Sequence, residues 1–309
     1  MKKKVFIDGS AGTTGLRIAE RLAEREDLEL LTIPEEKRKD AAVKKQIINT
    51  ADVVFLCLPD AAAVESVALV ENPNTVVIDA STAHRTLPDW AYGFPELGEG
   101  FENKLLNSKR IAVPGCHASG FIALVYPLIE AGILDKDILL CCHSLTGYSG
   151  GGKNMIAEYQ SENRNALLNA PRQYGITQQH KHLKEMKAIT GIDTAPAFCP
   201  IVGDFYSGML VTVPLFASQI HGTLDDIKGV YAKKYNGEIV RYQDSADENG
   251  FVSALTLAEK DGMIITVSGN EERVLLMAAY DNLGKGASGA AVECMNLVIG
   301  ADRKKGLVL

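Results

Sequence analysis

Lys4-Val5-Phe6-Ile7-Asp8-Gly9-Ser10-Ala11-Gly12-Thr13-Thr14-Gly15 is the stretch that decides the fold class. Lys4–Asp8 has the length and apolar content of a strand, and it runs straight into glycines spaced G-x-x-G-x-x-G. Beyond them Leu16, Ala19, Leu22 and Ala23 recur at i, i+3, i+6 and i+7, as one face of a helix does. Strand, glycine turn and helix in that order make the first half of a βαβ unit.

Further apolar runs follow at 28–33, 53–58, 75–80 and 109–113. They lack clean alternation, as expected of strands buried on both faces of a parallel sheet. Strands alternating with helical stretches predict a doubly wound α/β sheet. From about residue 115 the rhythm changes. An apolar helix is predicted from Cys116 to Glu130, with Gly132 as its stop. Residues 137–146 read as a strand, 147–153 as a loop, and 153–169 as a helix ended by Pro171. Strand-like runs recur at 208–216, 238–242, 263–267 and 274–280. Thr223, with Asp226 three residues on, predicts a capped start for a helix running through Tyr235. This middle region is expected to be α+β around a mixed or antiparallel sheet. The last helix, 287–299, is apolar on nearly every face and should be buried.

The length of 309 residues, at roughly 150 per domain, points to two domains. With 32 basic against 39 acidic residues the net charge is −7, and no long basic block is present. Sequence-independent nucleic-acid binding, which needs phosphate neutralisation, is therefore not expected. Only three apolar residues separate Lys2-Lys3-Lys4 from Asp8, short of the about 7–15 of a secretory signal. No run reaches the roughly 18 apolar residues of a spanning helix. A soluble cytoplasmic protein without a membrane partner is the expectation. The six cysteines include no C-x-x-C pair, so they should be reduced and mostly small buried hydrophobes. Cys116 departs from that expectation.

Glycines at 9, 12 and 15 would let the backbone approach a pyrophosphate at a helix N-terminus, although the same spacing serves an ordinary tight turn. Position after the first strand favours the dinucleotide. Gly9, Ser10, Gly12, Thr13, Thr14 and Gly15 are then the expected cofactor contacts. NAD usually requires Asp or Glu at the end of the second strand. Here that strand ends Leu31-Thr32-Ile33-Pro34, with Glu35 and Glu36 just past it and Lys37, Arg38 and Lys39 beyond. The cations favour the 2′-phosphate of NADP(H), with Arg38 the expected contact, although such a run also suits a solvated helix start.

Pro114-Gly115-Cys116-His117-Ala118-Ser119-Gly120 places a cysteine between a strand and the first turn of an apolar helix. A helix N-terminus favours thiolate over thiol, and its N–H groups would receive an oxyanion. A buried structural cysteine fits the same place; in a dinucleotide-binding chain the balance tips toward a nucleophile. Thiol plus nicotinamide interconvert acyl and aldehyde levels through a thioester. Such a thiol needs a proton partner. His180-Lys181-His182 stands out in a polar stretch ahead of a helix, and one imidazole of it is the expected acid/base. A solvated loop or half of a metal site would look alike, but no second ligand cluster accompanies it, so no metal is expected.

Taken together, GSAGTTG at 9–15, DASTAHR at 79–85, PGCHASG at 114–120, GYSGGGK at 147–153, HKHLKE at 180–185 and DNLGKGASGAA at 281–291 resemble the N-acetyl-gamma-glutamyl-phosphate reductases of the shorter type. The resemblance runs the whole chain, in order. It implies an NADP-binding Rossmann domain at 1–115 with 284–309, interrupted by a catalytic and dimerisation domain at 116–283. It also implies NADPH-dependent reduction of N-acetyl-glutamyl 5-phosphate to the 5-semialdehyde with release of phosphate, a step of arginine biosynthesis. Carried over residue by residue, Cys116 is the nucleophile and His180 the acid/base, with Tyr174 and Glu185 supporting the histidine. Arg85 and Lys153 would hold phosphate or the substrate carboxylate, Ser149 would line the substrate site, and Ser81 and Asn282 would meet the cofactor. A homodimer or homotetramer through the middle domain's sheet is implied as well.

Two other functions fit parts of the pattern. Aspartate-semialdehyde dehydrogenase would share the glycine loop, the thiol and the histidine, but the blocks at 180–185 and 281–291 argue against it. A non-catalytic NADPH-binding redox sensor would leave Cys116 and the histidine pair without a purpose.

Overall fold

Apolar runs of the first hundred residues form parallel strands. The computed structural model describes residues 2–37 and 40–309, which divide into two units. One takes in the chain up to Pro95, Glu99–Pro114 and Ala287–Leu307; the other comprises Glu96–Gly98, Gly115–Gly286 and Val308–Leu309.

The first unit carries β1 (Lys3–Asp8), α1 (Thr13–Ala23), β2 (Leu28–Leu31), α2 (Ala41–Thr50), β3 (Val53–Leu56), α3 (Asp60–Ala68), β4 (Val76–Asp79), β5 (Ala91–Tyr92), α4 (Glu99–Asn107), β6 (Arg110–Ala112) and the last helix, α9 (Gly289–Val298). Its six strands are all parallel, in the order β2-β1-β3-β4-β6-β5. Each central strand sends alternate residues to opposite faces. Val5, Ile7, Val53, Phe55, Val76 and Ile78 join one core cluster, while Phe6, Val54, Leu56 and Val77 join another. Burial on both faces is why these runs do not alternate. Helix α9 supplies Ala290, Ala291, Val292, Cys294 and Met295 to the first cluster, which accounts for its apolarity on every side.

Helix α1 turns only part of the predicted face inward: Leu22 is buried and Ala19 packs on the same core, but the face is rotated toward Gly15 and Ile18. Gly15, Ile18 and Leu22 are buried, whereas Leu16 is 50% exposed and Ala23 is at the surface. A Cβ at Gly15 would lie 2.3 Å from the Gly9 carbonyl oxygen, so the glycine lets this side of the helix approach the turn.

The second unit holds α5 (Cys116–Glu130), β7 (Cys141–Gly147), α6 (Gly152–Gln160), β8 (Arg172–Gln173), α7 (His182–Thr190), β9 (Ala197–Gly203), β10 (Met209–Phe216), α8 (Leu224–Lys234), β11 (Val240–Tyr242), β12 (Met263–Gly269) and β13 (Arg273–Tyr280). Seven strands form a mixed sheet in the order β11-β12-β13-β10-β7-β9-β8. Thr223 caps α8 with a capping box closed by Asp226. The helix expected over 153–169 ends at Gln160 instead. The polar run Ser161-Glu162-Asn163-Arg164-Asn165 offers no apolar face to continue it, Arg164 is drawn away to Asp204, and Asn165 caps a separate short turn.

Strand β9 escapes sequence reading because Pro200 sits inside it. A proline is tolerated where its missing N–H faces a weakly paired edge. Pro200's carbonyl accepts from the Tyr174 amide beside the two-residue β8, so its nitrogen faces that same side. Further along, the Gln178 side chain stands in for a strand: it accepts from the Phe198 amide at 2.8 Å and donates to the Phe198 carbonyl at 2.7 Å.

Helix α5 is the core of this unit, buried continuously from His117 to Val125 and packed against β13, β10, α7 and α8. Pro127 lies within it and has no N–H for the Ala123 carbonyl four residues back. Tyr235's hydroxyl donates to that carbonyl at 2.7 Å, and the Tyr231 hydroxyl donates to its neighbour, the Leu124 carbonyl. A buried carbonyl left without a donor costs about 1–3 kcal/mol, so the two tyrosines make the proline tolerable.

Candidate active site

Cys116 is the first residue of α5 and is half-buried. The N-cap, Gly115, is extended and has no side chain to accept from the first-turn amides. Its own N–H donates to Glu185 Oε1 at 2.8 Å, which places a buried carboxylate from α7 at the head of the helix. From behind, Gly286 lies so close that an added Cβ would sit 3.0 Å from the Cβ of Cys116.

Around this helix start the imidazoles and a phenol gather. His180 lies on the loop that Gln178 ties to β9, and its ring centroid is 5.7 Å from that of His117, 4.7 Å from His182 and 6.1 Å from Tyr174. The His182 amide donates to His180 Nδ1 at 3.2 Å, which leaves the proton of the neutral ring on Nε2. Burial, and then the Lys181 charge, hold His180 below its usual 6.5. It therefore presents a neutral N–H donor at neutral pH.

Tyr174 is hydrogen-bonded to His117 Nε2 at 2.5 Å, and His117 Nδ1 is hydrogen-bonded to Ser144 Oγ at 2.6 Å. Burial, reinforced by the neighbouring His180, pushes His117 down to about 3, so it stays neutral. Tyr174 is pushed upward by burial and by the charge of Cys116, so its phenol keeps its proton. His117 is the member that sequence reasoning missed. The signal was present: a histidine directly inside a helix apolar on all faces must be buried, and a buried imidazole needs partners.

The other expected contacts fall as follows. Ser149 is buried and accepts from Asn282 Nδ2 at 2.9 Å, while Asn282 Oδ1 accepts from the Gly208 amide at 2.9 Å. Lys153 is exposed in the first turn of α6.

In the first unit, Gly9 adopts φ +90°, and a Cβ there would lie 2.3 Å from the Cys57 carbonyl oxygen, so only glycine makes this turn. Gly12 is the N-cap of α1, and Thr13, Thr14 and Gly15 form its first turn. A cavity of about 450 Å3 opens beside Gly9, Ser10 and Ala11, reaching Thr32 and Ile33 past the end of β2 and walled by Lys44. Lys44 is held by Asp8 at 3.0 Å, and Asp8 also accepts from Ser66 at 2.8 Å. Arg38 lies outside the described residues. Ser81 is buried at the end of β4, donating to Asp79 at 2.6 Å, and His84 reaches the same carboxylate at 2.6 Å while stacking on Trp90. Arg85 is buried and donates to the carbonyls of Val113 and Ala80 at 2.9 Å each. Among the described residues, no helix is long and apolar enough to cross a membrane.

A cysteine at a helix start beside imidazoles, in a chain that also carries a parallel sheet with a glycine turn, fits an oxidoreductase, and comparison with known proteins agrees. Residues 4–102 match the model of the semialdehyde dehydrogenase NAD binding domain, and 116–282 match the semialdehyde dehydrogenase dimerisation domain. The chain belongs to the semialdehyde dehydrogenase family. Proteins named N-acetyl-gamma-glutamyl-phosphate reductase from Brucella ovis and Brucella canis are each 46% identical over 310 residues, covering 97% of this chain and 100% of each relative. An aspartate semialdehyde dehydrogenase II from Vibrio cholerae shares the fold, with a TM-score of 0.74 at 16% identity over 97% of this chain and 99% of that one.

Proposed function

We propose that the chain reduces N-acetyl-L-glutamyl 5-phosphate to N-acetyl-L-glutamate 5-semialdehyde with NADPH, releasing phosphate. The observation that carries this is Cys116 at the head of α5, next to His117 and near enough for its charge to act on Tyr174, with His180 packed on His117, in a chain whose curated relatives bear that enzyme's name. The carboxylate of Glu185 beside the helix start leaves acceptance of charge to the amides of the first turn and to His180.

In the proposed sequence the Cys116 thiolate attacks the acyl carbon, the C–O bond to phosphate breaks, and a thioester remains. The departing phosphate takes up the one proton that the overall reaction consumes. NADPH held along the glycine turn at 9–15 would supply hydride to the thioester carbonyl, after which the C–S bond breaks to give the aldehyde and return the thiolate. In both steps oxygen carries transient negative charge, and the neutral His180 Nε2–H is the donor that meets it. Preference for NADPH follows from the absence of an acidic residue at Thr32-Ile33-Pro34 and from Lys44 on the wall of the cavity there.

The test follows nicotinamide absorbance in the reverse direction, with N-acetyl-glutamate 5-semialdehyde and phosphate, comparing NADP with NAD and aspartate semialdehyde as the rival substrate. Phosphate-dependent turnover of the acetylated aldehyde with NADP is the expected result. Turnover of aspartate semialdehyde alone would keep the chemistry and overturn the substrate.

A second copy of the chain is the proposed partner, with a cytoplasmic location. The outward face of the second unit's sheet carries Leu145, Ile201, Leu210, Pro214, Phe216 and Leu275, aligned across neighbouring strands, with Phe216 62% and Leu275 42% exposed. Phe216→Asp with Leu275→Asp should lower the sedimentation coefficient to that of a single chain; an unchanged value would move the interface elsewhere.

A further inference from the structure

Tyr280 ends β13, the strand between β12 and β10, and is completely buried. Its hydroxyl donates to the carbonyl of Cys116 at 2.5 Å and accepts from the amide of Gly120 at 3.1 Å. In an α-helix those two groups, four residues apart, close the first turn on each other. Here α5 is helical from Cys116 itself, and the phenol oxygen bonds both groups as well, beside that closing turn. We infer that Tyr280 is the positioning residue of the nucleophile: its hydroxyl, bonded to both the Cys116 carbonyl and the Gly120 amide, holds the opening turn of α5 and thereby the direction of the thiol.

Three further observations point the same way. A Cβ at Gly120 would lie 2.7 Å from the Tyr280 oxygen, so the last glycine of the 114–120 block is the space this hydroxyl occupies. Gly286 presses on Cys116 from the segment that Tyr280 begins, so carbonyl and Cβ of the nucleophile are both held by residues 280–286. That segment is itself braced: Asp281 Oδ1 accepts from the amides of Leu283 and Gly284, Asp281 Oδ2 from that of Glu259, and Gly286 N–H donates to the Asp281 carbonyl. Burial holds the Tyr280 phenol well above its ordinary 10, so the donor keeps its proton.

The same helix supplies its own control. Tyr235 donates a buried hydroxyl to the Ala123 carbonyl, the same bond to the same helix about two turns further on. Because the inference rests on Cys116 being the nucleophile, it is read first without substrate. Labelling of Cys116 by iodoacetamide is followed against pH, with the modified peptide identified by mass spectrometry, in wild type, Tyr280→Phe and Tyr235→Phe. Tyr280→Phe should displace the Cys116 labelling profile along the pH axis and, in the reductase assay, lower kcat by about tenfold or more with KM for NADPH unchanged. Tyr235→Phe should lower the melting temperature comparably and leave both the profile and kcat as in wild type. A wild-type profile in Tyr280→Phe, or the same displacement in Tyr235→Phe, would overturn the inference. Wild type without reductase activity would count against the proposed reaction alone, and the labelling comparison would still decide the role of Tyr280. Should Tyr280→Phe fail to fold, 3-fluorotyrosine at position 280 nearly keeps the packing while making the hydroxyl a stronger donor and a weaker acceptor, and is judged by the same profile.

Discussion

Cys116→Ser is expected to abolish reduction, with turnover falling on the order of 10⁴-fold, while NADPH binding measured by fluorescence stays near that of wild type. The exchange is clean for structural reasons. Serine keeps the Cβ that packs on Gly286 and the carbonyl that receives the Tyr280 hydroxyl, so the opening turn of α5 is undisturbed. What changes is the attacking atom: a hydroxyl in place of a far more acidic and more nucleophilic thiol. None of the other five cysteines stands at a helix start within this cluster. Cys57 is half-buried and Cys142 buried, with thiols that desolvation pushes up to about 12 and further still, and neither replaces Cys116. Normal turnover by the serine variant would remove the thioester from the proposed sequence.

His180→Asn is expected to slow turnover by about 10²–10⁴-fold, the usual span for a positioned proton donor, and His182→Asn by much less. His180 offers Nε2–H from a half-buried ring, whereas His182 is buried and uses its backbone amide to hold His180 in place. A pH dependence follows. Protonation of His180 puts a hydrogen on Nδ1 and expels the His182 amide, so activity should fall as pH drops through a value below 6.5. Lys181→Ala removes a positive neighbour and should move that acid limb upward, while His180→Asn should erase it. An acid limb that persists in the asparagine variant, or a larger loss from His182→Asn, would transfer the role by two residues.

The parallel sheet was legible because its strands are buried on both faces, and residues such as Val53 to Leu56 announce that without reference to anything distant. Helix α5 and its stop were legible for a similar reason: apolarity on every side followed by a glycine with φ +69°. Strand β9 was not, because its proline is acceptable only beside a neighbour as short as β8, which is a property of the sheet and not of the segment. The face of α1 went partly astray since Leu16 and Ile18 are equally apolar and only packing chooses between them. In the site, Cys116 and His180 stood out by local pattern. Tyr174, His117 and Ser144 become one chain of hydrogen bonds through pairings 57 and 27 residues apart, and Tyr280 reaches Cys116 across 164. Separations of that size leave no local trace.

The placement of α9 has a consequence for how the protein is made. Its Ala291, Val292 and Met295 complete the cluster that contains Val5, Ile18 and Phe55, yet the ribosome delivers them only after Gly115–Gly286, the main segment of the second unit. Until then the nascent first unit holds a parallel sheet with one face short of its covering helix, a form prone to sticking to other chains. Synthesis thus imposes an order in which the main segment of the second unit is free to fold before the nucleotide-binding half can close.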